Sequence, residues 1–530
     1  MRSGVALLVS VLALCGAGAS ALPGATDARR GGTFRLALSP DVGAIDPALA
    51  TSPPEEMLVR TTCTPLMAFP GPRPEAAVGP PKVSRGGRVY TFTIRRGLRF
   101  NTGEPVTARN FARAVTRLLS PAMRAEFTDH LAERLVGGRA FREGKTQRLA
   151  GVVARGRTLV FRLRRPWGHL VDEVATGRFC PVPLRLPVDP EGVGAPLPGS
   201  GPYFVSRFVP GREIVLVRNR LYRGRRAQHV DRFVADLTNT FTTSSQEVVE
   251  GRADLATAAP DVQANLVRRY GVNRSQLWVS PDPNFVAPRI LVLNTQRPLF
   301  RNNARLRRAV SLAIDRRAVA DIVGRGLLAT TDQFLSPLVR GFREVRISPP
   351  RGDLRRARGL ARGRTRGGKA VLYVTGFPPF ARAQAELVKA NLRRIGLDVE
   401  TRVFPHAEYL RRLYVPGEPF DMAFSVAWGG PYPTHSILNE LFHGRNRPPA
   451  GENFFRFNSP RFNRLLDRAE RLTGAARSRL YGRIDAELAR DAVPAIPLFV
   501  HRRVVLVSRR AGCVDFRKPL YELSRLCLKS

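Results

Sequence analysis

One stretch in the second half of the sequence constrains the fold most, because its pattern changes from strand to helix and back. Residues 371–376 (VLYVTG) form an apolar run, Leu387 and Ile395 share the apolar face of a following helix, and residues 397–404 (LDVETRVF) form a second strand. Gly396 stands where a helix C-cap is expected. Strands that alternate with helices predict a mostly parallel sheet, so the fold class is α/β.

Other stretches extend this prediction along the chain. Thr107 is expected to cap a helix that carries Phe111, Val115 and Leu118 on one stripe, and residues 201–219 are expected to form a hairpin that turns at Pro210-Gly211. A single long helix is expected over residues 302–323, with Leu306, Val310, Ala313 and Ile314 inward. Further strands are expected at residues 31–38, 88–100 (with Tyr90, Phe92 and Ile94 on one face), 290–295, 420–428 and 493–508.

The amino-terminal residues have the pattern of a secretory signal. Arg2 gives a positive start, Val5 to Leu14 an apolar core, and residues 19–21 a cleavage site, so residues 1–21 are expected to be removed. Cys15 is a candidate for lipidation, although Leu14 before it is bulky for that processing. No later segment has about 20 uninterrupted apolar residues. The sequence therefore predicts an exported protein, periplasmic or at the cell surface.

Four cysteines follow the signal, and an even count in an exported chain favours disulfides. Cys513 and Cys527 would close a short C-terminal loop, and Cys63 with Cys180 would follow by elimination. Metal ligation is the weaker alternative because no C-x-x-C pair occurs.

The net charge of +43 needs an explanation in terms of partners. Only six of the 86 basic residues are lysine, and the arginines are spread along the chain, which is typical of a compositional bias. Nucleic acid is therefore not expected as a partner. Attraction to an anionic envelope surface or to acidic ligands fits the charge better, and salt should weaken it.

The sequence lacks the motifs of several classes of enzyme. His435 and His443 are eight residues apart and do not have the spacing of a zinc protease, so a structural role is favoured over a metal site. Residues 198–202 (PGSGP) fail the nucleophile elbow because Pro198 replaces its first glycine. The sequence also has neither a Walker A motif nor a dinucleotide-binding fingerprint. No metal, cofactor or catalysis is expected.

Four separated stretches together resemble one family. They are residues 31–50 (GGTFRLALSPDVGAIDPALA), 90–115 (YTFTIRRGLRFNTGEPVTARNFARAV), 199–224 (GSGPYFVSRFVPGREIVLVRNRLYRG) and 293–319 (LNTQRPLFRNNARLRRAVSLAIDRRAV). In order and spacing they are similar to the family 5 extracytoplasmic solute-binding proteins of peptide, dipeptide and nickel ABC importers. The resemblance covers nearly the whole chain after the signal.

The resemblance implies a two-lobed periplasmic-binding-protein fold of type II, with an extra domain inserted in the first lobe. On this basis lobe I is expected to comprise residues 31–75, 196–285 and 501–530. The inserted domain would comprise residues 76–195, and lobe II residues 286–500. The protein would be a monomer that encloses a small molecule or short peptide by lobe closure. The transmembrane subunits of an ABC permease would recognise the closed form, and ATP would be hydrolysed by another subunit.

The resemblance also implies where the ligand contacts the lobes. Thr51, Ser52 and Pro53 match the wall of lobe I, and Phe377 follows a strand of lobe II. The stretch from Trp428 (WGGPYPTH) is similar to the family pattern W-G-A-D-Y-P-D-P, whose aspartate holds the α-ammonium of a bound peptide. Pro431 stands in place of that aspartate and offers neither charge nor backbone donor.

The remaining residues of this stretch have two interpretations. Gly430 allows close backbone approach, and Trp428 and Tyr432 can stack on a ligand. Alternatively, these aromatic side chains pack between the lobes. His435 either contacts the ligand or caps the next helix.

Three classes of function are compatible with the whole sequence. The leading hypothesis is a solute-binding subunit of an importer, with a neutral or acidic ligand such as a modified short peptide, an oligosaccharide or another amphipathic metabolite. The second is an envelope-associated receptor that keeps the fold but not transport. The third is an exported enzyme, which only an unrecognised catalytic constellation would support.

Overall fold

The computed structural model describes residues 28–38, 42–68, 73–126, 128–240, 242–282, 287–339, 341–376, 380–426, 436–515, 520 and 522–529. The strands are β1 Ala28–Arg29, β2 Thr33–Ala37, β3 Met67–Ala68, β4 Arg73–Pro74, β5 Lys82–Ser84, β6 Val89–Thr93, β7 Val152–Arg155, β8 Thr158–Arg162, β9 Tyr203–Val209, β10 Glu213–Arg218, β11 Arg232–Asp236, β12 Leu255–Thr257, β13 Leu277–Pro281, β14 Arg289–Leu293, β15 Leu328–Thr330, β16 Lys369–Thr375, β17 Asp398–Phe404, β18 Met422–Val426, β19 Ala495–Val507, β20 Ala511–Gly512 and β21 Cys527–Lys529. The helices are α1 Pro53–Thr62, α2 Ala108–Leu119, α3 Asp129–Arg134, α4 Gly138–Arg142, α5 Leu170–Glu173, α6 Ser244–Val249, α7 Pro260–Tyr270, α8 Ala304–Ala313, α9 Arg316–Asp321, α10 Leu354–Ala361, α11 Phe380–Arg393, α12 His406–Tyr414, α13 Ser436–Phe442, α14 Pro460–Arg471 and α15 Gly474–Glu487.

One long strand, β19, joins two parts of a large mixed sheet. The sheet runs in the order β17-β16-β18-β14-β19-β12-β2-β11-β10-β9, and β13 and β15 also pair with β19. The first residues of β19 pair with β14, and its last residues pair with β12 and β13. We call β2 with β9–β13 the first half-sheet and β14–β18 the second half-sheet. The strand expected at residues 493–508 is confirmed.

The second half-sheet contains the predicted strand–helix–strand unit. β16 pairs in parallel with β17 on one side and with β18 on the other. Gly396 has a φ of +81° and ends the intervening helix as expected. Leu372, Leu392 and Val399 are buried in the same apolar cluster. The α/β prediction is therefore confirmed at the stretch from which it was made.

The expectation of one helix over residues 302–323 is wrong. The structure has two helices, α8 and α9, separated at Ile314, whose backbone is extended (φ −80°, ψ 123°). Asp315 starts the second helix because its side chain accepts the N–H of Ala318 at 2.9 Å. Its own N–H donates to the Asn391 side chain at 2.7 Å. Ile314 stays buried, so the break leaves the apolar pattern intact.

A separate four-stranded sheet, in the order β5-β6-β8-β7, is covered by helices of the same segment. We call β5–β8 with α2–α5 the four-stranded subdomain. Tyr90, Phe92 and Ile94 are buried on one face, as predicted for their strand. The α2 stripe is buried as well, and Thr107 precedes the helix, its N–H donating to the Asn110 side chain at 2.9 Å. The subdomain therefore has a core of its own.

The four cysteines form both predicted disulfides. Cys63 and Cys180 have a Cα–Cα distance of 5.7 Å, and Cys513 and Cys527 one of 5.4 Å. Cys63 caps the end of α1. The first disulfide links the end of α1 to the short turn that ends at Cys180. The second disulfide closes the C-terminal loop between β20 and β21.

The serine of the rejected nucleophile elbow has a structural role. Ser200 is buried, its hydroxyl accepts the N–H of Thr64 at 3.0 Å, and its carbonyl accepts the Thr64 hydroxyl at 2.6 Å. A Cβ on Gly201 would lie 2.5 Å from the backbone N of Cys63. This stretch therefore holds the hairpin of β9 and β10 against the end of α1.

Candidate functional site

The carboxyl ends of strands from both half-sheets face each other across the middle of β19. In the first half-sheet, β12 and β13 run toward the middle, since Thr257 pairs with Val505 and Pro281 with Arg502. β2 is parallel to β12 and ends at the same edge. In the second half-sheet the end of β18 pairs with the start of β14, which pairs with the middle of β19. Ligands of α/β folds bind beyond such ends, so a cleft site is expected here.

The residues predicted to line the first wall form a fixed start to α1. The Glu55 carboxylate is buried and accepts four backbone N–H groups at 2.8–3.0 Å, from residues 43, 44, 51 and 52. The Ser52 hydroxyl in turn accepts the N–H of Glu55, which makes Ser52 the N-cap, and Pro53 occupies the first helical position. Thr51 is exposed. The segment after β2 is therefore held rigidly, with Thr51 open to solvent.

The residues predicted to line the second wall lie outside the described residues. They are Phe377, Trp428, Gly430, Pro431, Tyr432 and His435. The strands that precede them are described: β16 ends at Thr375, and β18 ends at Val426. These strands are parallel neighbours in which Val374 pairs with Phe424. Both predicted wall segments therefore leave the same edge of the second half-sheet.

Sequence reasoning missed a polar pair where the half-sheets meet. Arg289, the first residue of β14, donates from Nε to Nε2 of His501 at 2.7 Å. His501 is therefore neutral, because its Nε2 accepts this bond. Burial, with Arg289 adding repulsion, lowers the pKa of His501 to about 3. Burial likewise lowers the pKa of Arg289 to about 10, which leaves the guanidinium charged at neutral pH. The signal was present in the sequence, since residues 501–503 (HRR) interrupt an apolar strand.

An ion pair lies beside it. Arg503 contacts Asp282 at 3.3 Å, and both side chains are mostly buried. Asp282 also donates its N–H to the carbonyl of His501 at 3.2 Å. The chain passes from β13 in the first half-sheet to β14 in the second just after Asp282. Contacts with Asp282 therefore hold β19 at the point where the chain passes from the first half-sheet to the second.

The Arg289–His501 pair predicts a pH dependence of stability. The folded-state pKa of His501 lies below the ~6.5 of an unfolded chain, so the unfolded chain takes up the proton first as the pH falls. Stability is lost from about pH 6.5 downward, by about 1 kcal/mol between pH 7 and pH 5.5. The variant His501→Gln removes this contribution. Urea unfolding of both proteins at pH 7.0 and 5.5 should give a smaller pH-dependent loss for the variant.

A control with the opposite sign tests the same reasoning. The side chain of His130 is half exposed; partial desolvation disfavours its charge, but the Glu173 carboxylate 3.5 Å away outweighs this and raises the pKa of His130. The charged form of His130 therefore stabilises the fold below the unfolded pKa. In His130→Gln the free energy of unfolding should fall more steeply with decreasing pH than in the unmodified protein. Equal pH slopes for His501→Gln and the unmodified protein would contradict the assignment of His501.

The four-stranded subdomain contacts the helices that follow the second half-sheet. His169 lies 3.2 Å from the hydroxyl of Tyr481, and Asp172 pairs with Arg477 at 2.5 Å. The first contact is buried and the second mostly so, and burial lowers the pKa of His169, with the positive charge of Arg477 adding to the effect. A third contact joins Arg134 to Glu470 at 2.5 Å. If the second half-sheet moves, either the four-stranded subdomain moves with it or these three contacts break.

Two negative findings apply to the described ranges. Within them, no group of three or more His, Cys, Asp or Glu side chains is placed to hold a metal ion, and His443 contacts Asp467 at 3.3 Å. Among the helices of the same ranges, none combines the length and apolar character needed to cross a bilayer. His435 and Cys15 lie outside these ranges.

Comparison with known proteins identifies similar chains of nearly the same length. Residues 44–449 match the model of the bacterial extracellular solute-binding proteins, family 5. The chain is 23% identical to the probable deoxycholate-binding periplasmic protein YgiS of Escherichia coli, over 97% of this chain and 96% of that protein. It is 22% identical to the oligopeptide-binding protein OppA of Bacillus subtilis, over 93% of this chain and 92% of that protein.

Solved structures share the whole fold. The clavulanic acid biosynthesis oligopeptide binding protein 2 has a TM-score of 0.80 at 25% identity, covering 95% of this chain and 96% of its own. The two-lobed fold expected from the sequence is therefore confirmed.

Proposed function

The chain belongs to family 5 of the bacterial extracellular solute-binding proteins, and from this premise we propose that it captures a small solute outside the cytoplasm for an ABC importer. The solute is a short peptide-like molecule or another small amphipathic compound. Closure of the two lobes encloses it, and the closed form is delivered to the transmembrane subunits of the permease. The protein acts as a monomer and performs no reaction on the solute.

The facing carboxyl ends of the two half-sheets carry this proposal. Two sheets that meet along the middle of one strand, β19, can rotate about that strand with little change in either core. A ligand that contacts both edges stabilises the closed arrangement over the open one, and so shifts the equilibrium between them. The boundaries at residues 75/76, 195/196, 285/286 and 500/501 remain our proposal for the divisions between lobes and inserted domain.

The proposed ligand contacts come from both lobes. Thr51, Ser52 and Pro53 contact the solute from lobe I. The lobe II contacts are those of the two segments after β16 and β18, namely Phe377, Trp428, Gly430, Pro431, Tyr432 and His435. The rigid start of α1 and the shared edge of β16 and β18 support this assignment.

The charges near the cleft favour a neutral or acidic ligand. The names of similar proteins refer to oligopeptides, to deoxycholate and to nickel, so the family accepts several kinds of solute. In this chain Pro431 stands where an aspartate would hold a peptide ammonium, and Arg289 adds a positive charge where the lobes meet. A cationic peptide would therefore meet repulsion without its usual anchor.

The preference can be measured with peptides that differ only in charge. Isothermal titration would compare a set of tetrapeptides with free, acetylated and acidic amino ends against the same sequences carrying two lysines. We expect the acetylated and acidic peptides to bind at least tenfold more tightly than the cationic ones. Tighter binding of the cationic peptides would contradict the assignment of the ligand's charge, while leaving the binding function intact.

A further inference from the structure

A second concave surface lies at the edge of the first half-sheet that faces away from the cleft. It is a groove of about 880 Å³ between the end of α7, the start of β13 and the segment after β19. β12 and β13 begin at this edge, and their carboxyl ends lie at the other. We call it the C-terminal groove. Because the cleft is at the opposite edge, a molecule in this groove does not compete with the solute.

Among the described residues, those that line the groove include positive charges and no carboxylate. Its charged lining residues are Arg269, Arg509, Arg510 and Lys529. Asp254 lies 3.5 Å from Arg510. Among the residues that the structure describes, Arg269, Arg509 and Lys529 have no carboxylate within 4.0 Å. Four cations around one groove, three of them without a carboxylate partner among the described residues, raise the local potential and attract an anion.

A second cavity shows that this arrangement is not a general consequence of an arginine-rich chain. That cavity, of about 580 Å³, is also lined by four arginines, but three carboxylates accompany them. Arg252 pairs there with Glu247 at 2.6 Å, and Arg207 with Glu213 at 3.3 Å. Two of its four arginines are therefore paired within the protein, whereas in the described part of the chain only Arg510 of the C-terminal groove has a carboxylate partner.

The walls of the groove are fixed by covalent and backbone bonds. The N–H of Lys529 donates to the carbonyl of Arg510 at 2.8 Å, so two of the cations stand on paired segments. The Cys513–Cys527 disulfide closes the same pair of strands. On the opposite wall the guanidinium of Arg269 lies 5.1 Å from the ring centre of Tyr270. The backbone positions that carry Arg510 and Lys529 are therefore fixed relative to each other before a ligand arrives, which lowers the entropic cost of binding.

The shape and the residue types identify the kind of anion. A groove with cations on both walls can enclose a linear chain. A flat lipid surface would instead need a protruding face on the protein. Three of the four cations are arginines, whose planar guanidinium matches phosphate oxygens with two parallel hydrogen bonds. We propose that the C-terminal groove binds a linear phosphate-bearing polyanion of the cell envelope, independently of the solute in the cleft.

The test uses labelled linear polyphosphate as the probe and fluorescence anisotropy of the purified protein. The groove variant is Arg269→Gln/Arg509→Gln/Lys529→Gln. The control variant is Arg355→Gln/Arg382→Gln/Arg393→Gln, which removes the same charge from exposed positions of α10 and α11. We expect about tenfold weaker binding for the groove variant and less than twofold for the control. The dependence of log Kd on log salt should also fall by about 2 in the groove variant only.

The remaining outcomes would overturn the proposal. Equal weakening in both variants would show that net charge alone attracts the probe. Groove-dependent binding to vesicles with anionic headgroups, without binding to polyphosphate, would assign the surface to a membrane.

If the triple variant does not fold, the single variant Arg509→Gln compared with Arg393→Gln gives the same comparison. Solute binding in the cleft should be unchanged in all these variants, which separates this proposal from the transport function.

Discussion

Replacing Arg117 with methionine is expected to lower the free energy of unfolding by about 3–5 kcal/mol. Arg117 lies on α2 and is fully buried, and its guanidinium makes two hydrogen bonds to the Asp46 carboxylate, at 2.7 and 3.0 Å. Its Nε donates to the carbonyl of Pro187 at 2.7 Å. Methionine fills most of the volume but leaves the Asp46 charge buried without its cation. The pair also joins the segment after β2 to the four-stranded subdomain, so the whole first lobe should be weakened.

Urea unfolding at pH 7 measures this effect. The double variant Asp46→Asn/Arg117→Met should recover part of the loss, because it removes the uncompensated charge as well. Arg139→Met serves as the control, since the Arg139–Glu143 pair is exposed and should contribute less than about 1 kcal/mol. A loss below 1 kcal/mol for Arg117→Met would show that water reaches Asp46 and that the pair is not a structural link.

Replacing Trp428 with alanine is expected to weaken solute binding roughly thirtyfold, which corresponds to about 2 kcal/mol of lost aromatic contact. Trp428 begins the wall segment that follows β18, and β18 is bound on both sides by β14 and β16. An aromatic side chain at this edge would cover an apolar part of the solute when the lobes close. Because the residue follows the end of β18 at Val426, we expect the free energy of unfolding to change little.

Titration with the best-bound peptide of the charge series measures this loss. Trp428→Phe should retain most of the affinity, since a ring remains. Affinity within threefold of the unmodified protein for Trp428→Ala, with stability reduced, would assign this tryptophan to packing between the lobes instead.

The elements that the sequence predicted well are those whose signal is local. The strand–helix–strand unit ending at Phe404 and the stripe of α2 follow from periodicity alone, because apolar spacing reports directly on the buried face. The helix break at Ile314 was missed because a buried isoleucine continues the apolar pattern through it. The break is fixed by the Asp315 cap of α9 and by the bond from the Asp315 N–H to Asn391, which is distant in sequence.

The same limit explains the parts of the site that were missed. Arg289 and His501 are 212 residues apart and become partners only when β14 and β19 pair. Asp46 lies within a stretch that identified the family, but its partner Arg117 is 71 residues away and looked like one of many surface arginines. Thr51 and Ser52 were placed by family matching, and their exact geometry depends on Glu55, which nothing in that matching singled out.

Native mass spectrometry tests the central claim most directly. The protein would be purified gently from cells, and a second sample incubated with a pool of short peptides. A solute-binding protein should carry one discrete small molecule per chain from one of these sources, and Trp428→Ala should lose it. Chains that carry no small molecule from either source, or equal loading of both proteins, would contradict solute capture in this cleft.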